Sequence, residues 1–199
     1  MKKAMGLKFV MFVVCAMIAV TGCMSMGQKT VDVSHNIKPG WLTKTPKRSN
    51  TVFFVGTRSE ARRMEDGEKD ARMAAIGEAA EAIQTQIISI YESARTETGT
   101  DDESYGTAIR EGLIARAKGT VRGAKQEEIY WEKIEERQDG EVKYFYNVNV
   151  LMGIPTEELR RSLSLELKKQ AEENTTAGDK AAQEFLGKLE EAFADATFD

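Results

Sequence analysis

Histidine, cysteine, proline and tryptophan are all scarce in this 199-residue chain, with one His, two Cys, three Pro and two Trp. The single His, His35, excludes a multi-histidine metal site and leaves one candidate base for histidine-assisted nucleophile chemistry. Positive charge is also short, with 28 Lys+Arg against 32 Asp+Glu. A net acidic chain lacks the basic footprint that nucleic acid requires. No apolar run is long enough to span a bilayer. Residues 9–20 (FVMFVVCAMIAV) are uncharged, yet as a helix they cover only about 18 Å of a hydrocarbon core about 30 Å thick. What is present is 41% hydrophobic and 30% charged residues, which suits one ordinary domain with attachments.

Lys2, Lys3 and Lys8 precede the short apolar run, the layout of a secretion signal. Val20-Thr21-Gly22-Cys23 then resembles the bacterial lipobox, an aliphatic residue and two small residues before a Cys. The resemblance implies cleavage between Gly22 and Cys23, a diacylglycerol on the Cys23 thiol and a third acyl chain on its new amine. Two or three chains suffice for stable anchoring. Met24 in place of Asp after the lipidated Cys implies sorting to the outer membrane, on its periplasmic face or at the surface. Cys15 leaves with the signal, so the mature chain has neither a free thiol nor a disulfide, and thiol catalysis and Cys-ligated zinc drop out. Losing three of the 28 bases leaves 25 against 32 acids, a net charge of −7.

Residues 23–50 read as the lipidated Cys and a polar tether, with His35 solvated and Pro39-Gly40-Trp41-Leu42 as an aromatic exception that docks on the domain or at the headgroups. Residues 51–56 predict a short strand closed by Gly56. Residues 59–93 carry a helical pattern in Ala71, Ala74, Ala75, Ala79, Ala82, Ile83, Gln86, Ile87 and Ile90. Its small residues suit close packing on a sheet. Residues 96–106 form an acidic loop, and 107–117 a short helix. From about residue 118 to residue 137 the period becomes two in places, with Ile129 and Trp131 alternating with Tyr130, Glu132 and Ile134. Asp139-Gly140 predicts a hairpin turn, and residues 141–152 alternate cleanly, with Val142, Tyr144, Tyr146, Val148 and Val150 on one face. Thr156 opens a helix striped by Leu159, Leu163 and Leu167, and residues 179–196 form a last helix with Phe185, Leu186, Leu189 and Phe193 on its apolar face.

This order resembles the lipoprotein-20 family of small bacterial outer-membrane lipoproteins, which is related to the N-terminal module of a flagellar T-ring protein. The matching residues are Pro39-Gly40-Trp41-Leu42, then Phe54-Val55-Gly56-Thr57, then Asp70-Ala71 with Ala74, Ala75 and Ala79, and finally Tyr144-Phe145-Tyr146-Asn147-Val148. They span residues 39–152. The resemblance implies an α+β fold, somewhat like dodecin, and no catalytic residues. The fold expected is a small antiparallel sheet of about three strands packed on a long Ala-rich helix over 51–152, followed by a C-terminal helical region over 153–199. The acidic loop and residues 156–199 depart from the simplest members.

Candidate chemistry is thin. Gly56-Thr57-Arg58-Ser59 sits where a strand-to-helix phosphate cradle would, but lacks the glycine spacing of one. Asp101-Asp102-Glu103 lacks the ligand order of a calcium loop. No metal or cofactor site is expected. Aromatic residues on both faces of the hairpin cannot all hide against one helix, so one face needs a partner, a second copy or the C-terminal helices. The apolar face of the last helix poses the same choice between core and partner. Trp41, Trp131, Tyr144, Tyr146, Phe185 and Phe193 are therefore the interaction candidates. The function expected is that of a non-catalytic, acyl-anchored envelope protein, held in the membrane through Cys23 and meeting an envelope protein or a copy of itself. A small-ligand or lipid binder, on fold analogy alone, is the alternative. A carboxylate-based hydrolase ranks last.

Overall fold

The computed structural model describes residues 27–99, 103–138, 140–177, 180–196 and 198. Gly22, Cys23, Asp101, Asp102 and Asp139 lie outside them. Among the described residues the elements are β1 (Gly27–Val33), a 3-10 turn (Gly40–Leu42), β2 (Thr51–Ala61), α1 (Met64–Thr98), α2 (Glu103–Arg122), β3 (Lys125–Gln138), β4 (Glu141–Pro155), α3 (Thr156–Ala177) and α4 (Lys180–Asp195). The fold is α+β. An antiparallel sheet in the order β1-β3-β4-β2 carries α1 on one face.

The sheet has four strands rather than about three. The additional one, β1, falls in the stretch read as a tether. Its sequence, GQKTVDV, has no apolar alternation because almost every side chain is exposed at the sheet edge. Only backbone pairing with β3, from Gly27 opposite Arg137 to Val33 opposite Glu132, makes it a strand.

β2 does not stop at Gly56. Thr57 and Arg58 continue to pair with Asn149 and Val148, and the strand runs to Ala61. The glycine serves close approach instead. A Cβ built on Gly56 would meet the carbonyl of Ala71 and lie 2.5 Å from the amide nitrogen of Ala75, both backbone atoms of α1. Further along, β2 holds one extra residue between Arg58 and Ala61, a β-bulge. Glu60 takes the left-handed conformation there (φ 57°), and its N–H donates to Asn147 Oδ1 at 3.1 Å.

α1 buries Gly67, Ala71, Ala75, Ala79, Ile83, Ile87 and Tyr91, a step of four throughout. Each such step advances the stripe by about 40° around an α-helix, or about 240° from Gly67 to Tyr91. The two halves of α1 therefore bury different sides. The first half is small and lies on β2 and β4, with Gly67 against Val148 and Ala61. The second half is large and faces helices, with the Tyr91 and Phe185 rings edge-to-face at 5.4 Å. Ala74 and Ala82, which a wider helical face would include, are exposed.

The four helices close a ring: α1 touches α2 and α4, and α3 touches the same two. Ile109, Leu113, Ala117 and Val121 from α2 fill it with Leu159, Leu163 and Leu167 from α3 and Phe185, Leu186, Leu189 and Phe193 from α4. The α2 stripe runs on to Val121, so the helix is longer than residues 107–117 and takes in positions read as strand.

Candidate interaction surface

The hairpin alternation sets two sheet faces with different covers. On the face away from α1, Phe53, Tyr130 and Leu151 form a second small core with Trp41, and Leu42 and Val55 pack against it. Residues 34–50 are thus a strap across the sheet, not a free tether. Trp41 Nε1 donates to Glu128 Oε2 at 2.6 Å. Lys38 Nζ meets Glu132 Oε1 at 2.7 Å, and the Tyr130 hydroxyl donates to the same oxygen at 2.9 Å. The Lys38 hydrogen bond holds the Glu132 carboxyl below its ordinary range, with the Tyr130 hydrogen bond adding to it and burial opposing. Burial, more than its bond to Glu132, pushes the Tyr130 hydroxyl up.

On the α1 face the cover runs out. β2 reaches only as far as Ala61, opposite Tyr146, so among the described residues the tip of the hairpin is flanked by β1 alone. Val142, Tyr144, Tyr146, Trp131, Lys133 and Glu135 share this face by alternation. Trp131 and Tyr146 meet edge-to-face at 5.9 Å. Lys133 Nζ lies 5.0 Å from the centre of the Tyr144 ring and 5.9 Å from that of Tyr146. Tyr144 donates to Glu135 Oε2 at 3.1 Å, and Arg137 Nε donates to Glu135 Oε1 at 2.7 Å. The Arg137 bond is the largest cause of a lowered Glu135 pKa. Val142 and Tyr144 remain about half exposed, at 47% and 51%, and Val31 of β1 is 40% exposed at the same end of the sheet.

The six aromatic candidates separate clearly. Trp41, Phe185 and Phe193 are buried at 7%, 0% and 3%. They are core, because the strap and the helix ring cover them within the chain, and they offer nothing to a partner. Tyr144 is exposed, with Tyr146 and Trp131 half-buried behind it. Sequence reasoning missed the charged partners Lys38, Glu128, Glu132, Lys133 and Glu135. The available signal was Glu128 and Glu132 two residues either side of Tyr130, which strand alternation places beside its ring on one face.

Other candidate chemistry does not assemble. Gly56 lies within a strand, so no helix N-terminus stands behind it to hold an anion. His35 is exposed, and its Nδ1 contacts Ser34 Oγ at 3.2 Å. Among the described residues no group of three or more His, Cys, Asp or Glu side chains is placed to hold a metal. A groove of about 540 Å³ between α3 and α4 is lined by Glu157, Arg160, Arg161, Ser164 and Leu165, and it is shallow and open. Among the described residues no helix is long and apolar enough to cross a membrane.

The molecule is thus an α+β domain with a sealed helical end and a partly uncovered hairpin end. Neither models of protein families, nor curated proteins, nor solved structures include a match to the chain.

Proposed function

We propose that this is a non-catalytic bacterial envelope lipoprotein of the lipoprotein-20 type. Acyl chains on Cys23 anchor it, and the hairpin end of its sheet meets another component of the envelope. The lipobox carries the anchoring. The Val142/Tyr144 face carries the interaction, since it is the part of the aromatic hairpin that the described residues leave open. The packing gives the residues shared with the family structural work: Trp41 fills the second core, Gly56 admits α1, and Ala71, Ala75 and Ala79 line the contact with the sheet.

The test is a photoreactive amino acid at position 144 in living bacteria. Adducts are expected in the native chain and not in Cys23→Ala. Their absence from an anchored, folded chain overturns the interaction. An intact mass lacking acyl chains overturns the anchor. The groove between α3 and α4 supports a second, ligand-binding reading, which predicts a rise in melting temperature with some member of a metabolite or lipid panel.

A further inference from the structure

The anchor and the fold are joined by very little chain. Met24, Ser25 and Met26 alone separate Cys23 from Gly27, the first residue of β1. Four residue steps reach at most about 14 Å, even fully extended. Gly27 is not at an arbitrary place. It pairs with Arg137, whose partner on β4 is Val142, so β1 begins beside the hairpin tip and runs inward from there.

The helical ring lies at the opposite end. α1 starts near the tip, three residues after Ala61, which pairs with Tyr146. It then runs back over the sheet, and Ser93 lies about 44 Å along its axis from Met64.

We infer that lipidated Cys23 holds the hairpin tip around Arg137, Gly140 and Val142 against the headgroups of a phospholipid bilayer, with the four-helix ring pointing away from the membrane. The inference rests on the anchoring proposed above and names the component that the hairpin end meets. The surface chemistry suits headgroup level. Tyr144 offers an amphipathic ring, of the kind enriched at membrane–water interfaces. Charges of the two signs nearly balance around it, Lys29, Lys133, Arg137 and Lys143 against Glu135, Glu136 and Glu141. So small an excess gives little net attraction for anionic lipid, so the short covalent tie, not lipid charge, imposes the contact.

The test uses the full lipidated chain in vesicles of phosphatidylethanolamine and phosphatidylglycerol carrying a headgroup-attached quencher. Cys15 is removed and Cys23 acylated, so an introduced thiol is unique. A fluorophore on Lys143→Cys is expected to lose its emission, and one on Ser93→Cys to keep it. Inserting about twenty Gly/Ser residues before Gly27, a coil with a typical span of about 25 Å, is expected to restore emission at position 143. Equal quenching at both positions, or none at either, overturns the orientation in a chain whose mass shows acylation. Quenching at 143 that survives the inserted linker overturns the tie as its cause. A mass without acyl chains overturns the anchor itself and is read separately.

Discussion

The β3–β4 hairpin has the same alternation at both ends, yet its ends have different surroundings. Near Lys125 and Pro155 both faces are covered, and Leu151, Met152 and Ile154 are buried at 3%, 1% and 1%. Near Gly140 the same rhythm leaves Val142 and Tyr144 about half exposed. Alternation decides which side of a sheet a residue takes. Only the element lying across that side decides whether it is buried. At one end α1 and the strap supply covers. At the other α1 has not yet begun, and rings, Lys133, Glu135 and Arg137 cover one another in part.

The contrast breaks most readily at the sealed end. Phe185→Ala removes a fully buried ring packed edge-on to Tyr91 and should cost about 3–5 kcal/mol in chemical denaturation. A cost below 1 kcal/mol would mean the ring of helices is not closed. Gly56→Ala should cost about 1–3 kcal/mol by the same measurement, because its methyl group meets helix backbone that cannot rotate away. Full tolerance would place α1 farther from the sheet than described.

The strap comes next. Lys38 is largely exposed, so its pair with Glu132 contributes at most about 1 kcal/mol. Glu132 has a lowered folded pKa, so its stabilisation is present above the ordinary value of 4.5 and is lost as pH falls through the lower folded value. The stability difference between the native chain and Glu132→Gln should therefore be constant near neutrality and shrink on acidification below 4.5. A difference that grows in acid would contradict the pairing. The smallest effect belongs to the open end. Tyr144→Ala should change stability by no more than about 0.5 kcal/mol in the same denaturation measurement. A large loss of stability would make Tyr144 a core residue after all.

Much of this was legible beforehand. The long helix, the hairpin and its alternation, and the leucine stripe of α3 all follow from local periodicity. Other features were hidden for physical reasons. β1 is polar on both faces, and an edge strand without apolar side chains looks like loop until its partner is known. Gly56 ends a run of apolar residues and looks like a turn, although its function is to let backbone touch backbone. Local periodicity left the six aromatic interaction candidates undecided between core and surface. Trp41, Phe185 and Phe193 proved to be core, because the strap and the ring close over them.

The sequence by itself determined the proposed address, through the spacing of three lysines, an apolar run and Val20-Thr21-Gly22-Cys23. It also determined which residues share a face, because helix and strand periods are local properties of the backbone. Tertiary structure alone decided which faces are covered. It alone turned the supposed tether into an edge strand and a strap, since pairing and burial depend on residues about a hundred positions away, as Gly27 with Arg137 and Trp41 with Glu128 show.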